Sequence, residues 1–396
     1  MKVGTLELKF PLTPTRILLL VIFAIGSAVI LYRFAVGLGP STNLNDAWPW
    51  GWWVSFGILT GVALSGGAFV LACLVHIFNV RKFEPFLRPA ILAGFLGYNT
   101  VGLTLLVELG FPYRIWHPWF YWQYHSIMFE VAWCVTLYLC VLTVEFSPVL
   151  LEKIRQHRLA HTVHRAAVPL VIAGTIISSL HQSSLGTLLL VMPTKLSPLW
   201  YTPWLPLLFY ISAIFSGISF SILILYATYK AFSRQVPFQL LADLAKGLPW
   251  LMGIYLAIKL ADLHARGMLP ELLHANPYSL LMWAELLVGV VIPGVILSFA
   301  KLRNTLPGLF AGVWLVVIGL ILNRFNASLF GFIETAFLPY FPHWMEVMMS
   351  AAIVAGVILA YIAAAENLPL LDAEHGESVH AKPLPPAHGI SHGVKG

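Results

Sequence analysis

Apolar runs of about twenty residues, each long enough to cross a ~30 Å hydrocarbon core as a helix, recur along nearly the whole chain. That recurrence predicts an all-α, polytopic transmembrane protein. Breaks of Pro, Gly and charge between the runs place about ten helices, near 16–38, 50–80, 87–110, 125–150, 162–190, 204–233, 240–265, 277–302, 305–327 and 343–365. The fifth is the hardest to bound. Ser178 to Gly186 is polar enough to break it, and Leu188 to Val191 then either turns back or finishes the helix. With 59% hydrophobic and 10% charged residues among 396, against about half and a quarter in soluble domains, no separate soluble domain is expected. The organisation that follows is a cytoplasmic segment over 1–15, a transmembrane helical domain over 16–365 and a flexible cytoplasmic tail over 366–396.

The net charge of +6 looks like a nucleic-acid signal until the Lys and Arg are located. Arg81, Lys82 and Arg88 share one short loop, and Lys153, Arg155, Arg158 and Arg165 share another. Lys230, Arg234, Lys246, Lys301 and Arg303 fall on the same side. With the N-terminus in the cytoplasm, about seventeen of the 23 basic residues are cytoplasmic, an asymmetry that orients a bacterial inner-membrane protein with both termini inside. The excess is topological, and no nucleic-acid partner is implied. Lys2, Lys9 and Arg16 ahead of Ile17 to Ile30 resemble a signal peptide, but the run continues to Gly39 without a polar cleavage region and reads as a retained anchor.

The opposite, periplasmic loops are aromatic and nearly uncharged: Trp48-Pro-Trp-Gly-Trp-Trp53, Tyr113-Arg-Ile-Trp-His-Pro-Trp-Phe-Tyr-Trp-Gln-Tyr124 and Trp200-Tyr-Thr-Pro-Trp204. They fit an interfacial belt and equally a platform for a peripheral subunit. Cys73, Cys134 and Cys140 sit in apolar segments without a C-x-x-C, so they cannot supply the four thiolates of an iron-sulfur cluster. His375, His380, His388 and His392 lie in the Pro-rich tail at irregular spacing. No metal site is expected there.

Ionisable side chains inside a bilayer cost about 2.5–3.5 kcal/mol each on insertion scales and are functional candidates by default. Glu108, Glu130, Lys259, Asp262, Glu285, Arg324 and Glu346 fall in the outer half of their spans, joined by His125, His181 and His343. The inner half offers chiefly Glu145, Asp243 and Lys246, thin material for a proton path. Lys259 and Asp262, at i and i+3, can pair on one helix face, and Arg324 is the natural counter-ion for one of the carboxylates. Glu130 is either a structural carboxylate or a proton relay, since a buried carboxyl group can exchange protons near neutrality.

The densest polar run is Ser178-Ser-Leu-His181-Gln-Ser-Ser-Leu-Gly186. A quinone site needs such groups: a hydrogen-bond donor for each ring carbonyl, one of them able to deliver a proton, as His does near neutral pH. The aromatic loops would supply the apolar walls. The alternative is a His and a Gln that merely tie helices together. A haem held between two His fits poorly, because mid-membrane histidines are missing. Only outer-half residues such as His125 and His181 offer a pair, and His76 has no evident mate, so no haem is expected.

In order along the chain, the Phe-Pro pair before the first span, Leu44-Asn-Asp-Ala-Trp-Pro-Trp-Gly51, Phe129-Glu130, Glu145-Phe-Ser-Pro148, His181-Gln-Ser-Ser-Leu-Gly186, Pro198-Leu-Trp200 and Tyr340-Phe-Pro342 resemble one known family. It is the NrfD/PsrC family of quinone-interacting membrane subunits, closest to its HybB branch, the so-called cytochrome b subunit of periplasmic nickel-iron hydrogenases. The resemblance covers about residues 10 to 365. It implies two four-helix bundles with outer helices added, no haem, and a pocket near the periplasm for quinone, either menaquinone or ubiquinone. It also implies a ferredoxin-like iron-sulfur subunit docked outside, with a catalytic subunit such as a nickel-iron hydrogenase beyond it. Matching positions are Trp50, Glu130, His181, Gln182, Ser183 and Arg324.

The expectation is therefore a subunit that transfers electrons between that periplasmic partner and quinone. Trp50, His125, His181, Gln182, Ser183, Ser184 and Arg324 would hold the ring, and Glu130 with His181 would handle protons. The rivals are the same fold in a sulfur-metabolism or quinol-oxidising complex, a haem-containing cytochrome, and a transporter built on two bundles with buried charges.

Overall fold

The structure is a computed structural model and describes residues 10–332 and 340–371. Ten helices among them are long and apolar enough to span a membrane: α1 (Pro14–Val36), α2 (Val54–His76), α3 (Arg81–Glu108), α4 (Ile127–Lys153), α5 (Ala167–Leu189), α6 (Leu205–Ala231), α7 (Phe238–Ala265), α8 (Pro277–Ser298), α9 (Leu306–Phe330) and α10 (Trp344–Asn367). The protein is all-α and polytopic, as the recurrence of apolar runs requires. Several starts carry the expected signals. Thr13 caps α1 ahead of Pro14, Asn276 and Ser279 form a capping box ahead of α8, and Thr305 caps α9; each side-chain oxygen satisfies an amide that the helix cannot.

Of the two courses open to the fifth span, the structure takes the one in which Leu188 to Val191 finishes the helix. α5 runs unbroken because most of its hydroxyls turn onto its own backbone: Ser179 donates to Thr175 O at 2.7 Å, Ser183 to Ser179 O at 3.1 Å and Thr187 to Ser183 O at 3.2 Å, while Ser184 shares its proton between Leu180 O at 2.7 Å and the Glu130 carboxylate. A polar run whose donors turn back one helical turn crosses an apolar medium without unwinding.

Helices α2 to α5 pack on one another and α6 to α9 on one another, with α6 also lying against α2 and α5, so that one continuous apolar core runs through both groups. α1 and α10 pack on each other at the periphery, and α10 rests on α3. The joint between the bundles is tight. A Cβ on Gly67 of α2 would lie 2.2 Å from Gly217 O of α6, so this crossing demands glycine on both sides. π-helical turns interrupt α2 (Val54–Thr60), α8 (Leu287–Val291) and α9 (Asn326–Phe330), a distortion frequent at functional sites.

Alternation of the ten spans gathers the basic loops at one end and the aromatic loops at the other. At the basic end Arg16 of α1 pairs with Glu366 of α10, and Arg88 Nη1 donates to Pro369 O at 2.9 Å. α10 thus continues past 365, and the first residues assigned to the tail pack against the helices. The four tail histidines, together with Lys2 and Lys9, lie outside the described residues.

Candidate functional site

Three helices of the first bundle bring polar groups together in its interior. His181 of α5 is fully buried. Its ring lies 5.7 Å from that of Tyr98 on α3, and Tyr98 meets Tyr138 of α4 edge-on at 4.4 Å. Ser178, one turn before His181, adjoins both phenols. Both ring nitrogens of His181 are buried without a hydrogen-bond partner among the described residues, and the adjoining hydroxyls of Tyr98, Tyr138 and Ser178 make no well-aligned hydrogen bond there. Each such group costs about 1–3 kcal/mol, and native proteins rarely keep one without cause. Donors and aromatic faces gathered in this way suit a flat, apolar ring with polar edges.

His181 lies eight residues before the end of α5, about 12 Å below the aromatic end. Glu130 begins the same end of α4, three residues into the helix, about 4.5 Å down. It is exposed, not buried as expected, and the Ser184 hydroxyl donates to its carboxylate. Ser184 is buried and sits at i+3 from His181, on the same face of α5. The pair Glu130 and Ser184 therefore connects the exposed rim of the bundle with the flank of the buried cluster.

The other expected ring contacts separate. Gln182 is buried, and its amide donates to Val62 O of α2 at 2.9 Å, a helix-tying role next to the Gly66–Gly67 joint. Ser183, at i+2, points away from His181, its hydroxyl held by Ser179 O and Leu180 O. Trp50 is half-buried ahead of α2, and its indole nitrogen has no partner among the described residues. His125 is exposed, its ring tilted against that of Tyr124 with centroids 4.3 Å apart.

Arg324 belongs to the second bundle, not to the His181 cluster. Its guanidinium lies 3.7 Å from the centroid of Phe209 and donates to Phe209 O at 3.1 Å, Ser212 Oγ at 3.0 Å and Asn323 Oδ1 at 2.5 Å. It makes no direct ion pair among the described residues; Asn323 passes the connection on to Glu285 Oε1 at 2.7 Å. Glu285 also accepts from Trp200 Nε1 at 2.9 Å and Asn326 Nδ2 at 3.0 Å. Arg324 thus rests on neutral acceptors in place of the expected counter-ion, and the Glu285 carboxylate on neutral donors. The expected pairing of Lys259 with Asp262 is likewise displaced. Arg266, one turn on, takes Asp262 at 2.6 Å, and Lys259 Nζ donates to Leu199 O at 3.1 Å.

A third cluster sits at the aromatic end beside α10. Glu346 is wholly buried and accepts from Asn43 N at 2.9 Å, His343 N at 2.9 Å and Tyr340 Oη at 2.6 Å. Burial and this carboxylate hold the Tyr340 phenol well above the ordinary tyrosine range. At the basic end, Asp243 pairs with Lys82 at 2.8 Å and Lys246 at 2.6 Å, an exposed helix-end arrangement. Glu145 lines a cavity of about 170 Å³ with His76 and Arg88.

Tyr98 and Tyr138 were not among the expected site residues, and Ser178 entered only as the first residue of the polar run. Their signal was available, since a phenol or hydroxyl in mid-span is a hydrogen-bonding group in an apolar medium, but a search for charged groups and histidines passes over it.

The outer surface at the aromatic end is apolar and wide, with Phe111, Tyr113, Phe120, Tyr121, Trp122 and Tyr124 exposed. Comparison with known proteins accords with this layout. A family model described as polysulphide reductase, NrfD matches residues 40–336. The chain is 32% identical over 351 residues to the Escherichia coli (strain K12) protein named probable Ni/Fe-hydrogenase 2 b-type cytochrome subunit, covering 87% of this chain and 88% of that one. It is 29% identical over 379 residues to the menaquinone reductase integral membrane subunit of Nitratidesulfovibrio vulgaris, covering 87% and 88%. It is 25% identical over 423 residues to a selenate reductase subunit of Mesobacillus selenatarsenatis, covering 92% and 96%. The chain belongs to the NrfD family, whose members are membrane subunits of quinone-linked oxidoreductases.

Proposed function

We propose that this protein carries electrons between an iron-sulfur partner docked on its aromatic end and a quinone bound among the aromatic-end halves of α2 to α5. The observation that carries the reading is the His181 cluster: an imidazole, two phenols and a hydroxyl from three helices, buried together, the imidazole unpartnered and the hydroxyls without a well-aligned hydrogen bond among the described residues. Quinone reduction consumes electrons and protons in equal number. His181 would donate to one ring carbonyl and hand over its proton, with Tyr98 and Ser178 orienting the ring. Glu130 would return protons from the rim through the Ser184 hydroxyl. Trp50 and the exposed aromatic residues would wall the ring and seat the partner. The aromatic end would face the periplasm, with the basic loops in the cytoplasm of a bacterial inner membrane.

The similarity to the Escherichia coli hydrogenase subunit supports a nickel-iron hydrogenase as the catalytic partner. The likeness to the menaquinone reductase subunit supports quinone as the acceptor, whereas the likeness to the selenate reductase subunit favours a second reading in which only the partner and direction change. Neither reading calls on a haem. The test is photolabelling of the purified full chain with an azido-naphthoquinone. Label on α4 and α5 near Glu130 and His181, competed away by menaquinone, is expected. Label confined to the second bundle would overturn the placement.

A further inference from the structure

The basic end carries a second cavity, of about 590 Å³, within the range of about 300–1,000 Å³ usual for small-molecule sites. It opens between the ends of α3, α4 and α10, and its charged lining is Arg88, Glu152, Lys153, Arg155, His157 and Glu366. The two carboxylates are already committed. Arg88 holds Glu152 through both oxygens, at 3.0 Å each, and Arg16 holds Glu366. Lys153 and Arg155 have no ion pair among the described residues and are exposed. Four cations, Arg16, Arg88, Lys153 and Arg155, thus stand against two carboxylates, leaving the cavity positive.

The backbone aims one of those cations. α4 ends in a reverse turn in which Arg155 N bonds Glu152 O and Gln156 N bonds Leu151 O, with Arg155 at φ 60°. That left-handed position is ordinarily given to Gly or Asn. An arginine tolerates it here at a cost of about 1–2 kcal/mol. The next element, His157–Arg165, is a short amphipathic helix with Arg158, His161 and Arg165 among apolar Leu159 and Val163. Leu150, Ile154 and Leu159 are exposed beside the cavity mouth. A positive cavity at the ends of spanning helices, edged by bare aliphatic side chains and a basic amphipathic helix, has the chemistry of a lipid headgroup site.

We infer that this cavity binds an anionic phospholipid of the adjoining leaflet, the phosphate lying between Lys153, Arg155 and Arg88 and the acyl chains running along Leu150 and Ile154. The site would fasten the ends of α3, α4 and α10 to one another and to the membrane. It is independent of the quinone reading.

Native mass spectrometry of the full-length protein, delipidated and offered phosphatidylglycerol or phosphatidylcholine of matched chains, tests it. The expected result is retention of one phosphatidylglycerol about tenfold better than phosphatidylcholine. K153Q/R155Q should erase that preference, whereas K230Q/K301Q, which removes equal charge from the same end away from the cavity, should keep it. Both changes are at exposed residues, so the fold is retained and circular dichroism will confirm it. Equal retention of the two lipids, or a preference that survives K153Q/R155Q, would overturn the inference. So would displacement of the lipid by inorganic phosphate at equal concentration, which would mark a site for free phosphate.

Discussion

The Ser184 hydroxyl donates to the Glu130 carboxylate, joining the exposed start of α4 to the face of α5 that carries His181. If this contact passes protons, Glu130→Gln keeps the hydrogen bond but removes the exchangeable charge. Quinone turnover should fall about 100-fold, with melting temperature little changed. Ser184→Ala should cost less, about tenfold, because a water can replace the hydroxyl. Turnover of E130Q at the parental rate would exclude Glu130 from proton transfer.

Tyr98 offers a separation of stability from binding. Its hydroxyl is buried without a well-aligned hydrogen bond among the described residues, so Tyr98→Phe should leave thermal stability unchanged or raise it by about 1 kcal/mol. The same change should weaken quinone, raising its KM about tenfold. Marked destabilisation in nanodiscs would mean that the hydroxyl is held by the protein.

The second bundle should behave differently. Glu285→Ala strips the acceptor from Trp200, Asn323 and Asn326 and leaves those buried donors unsatisfied, a loss of about 1–3 kcal/mol for each. The quinone KM of the fraction that folds should remain parental, since no contact of Glu285 reaches the His181 cluster. A KM change without instability would move the ring site to the second bundle.

Alkaline stability isolates Tyr340, which lies between spans. Its phenol is held up by burial and by Glu346, so the folded state binds the proton more tightly than the unfolded chain does. That contribution is whole below the unfolded pKa of about 10 and is lost as pH rises beyond it. Melting temperature in detergent should fall more steeply above pH ~10 in the parent than in Tyr340→Phe. Parallel slopes would show that the phenol carries no such linkage.

The spans were legible because hydropathy in a bilayer is close to a one-variable problem: twenty apolar residues leave the chain one option. Within that frame the gaps share a cause. The polarity of Ser178 to Gly186 left the fifth span open between a break and a continuous helix, because sequence does not show that hydroxyls satisfy themselves on the preceding turn. Arg324 looked like a counter-ion for a carboxylate, but partner choice depends on which helices face each other, and that is set by packing such as the Gly67–Gly217 crossing. Lys259 lost Asp262 to Arg266 because a residue at i+4 with a forked guanidinium out-competes one at i−3. His181 was visible as a histidine in a span. Its companions Tyr98 and Tyr138 come from other helices, and only the assembled bundle unites them.

The most direct measurement is quinone reduction by the purified native complex carrying His181→Ala, with electron delivery to an artificial acceptor assayed in the same preparation. The account predicts that quinone reduction falls by about 100-fold or more while the artificial-acceptor rate and the make-up of the complex stay parental. Quinone reduction at the parental rate would contradict it.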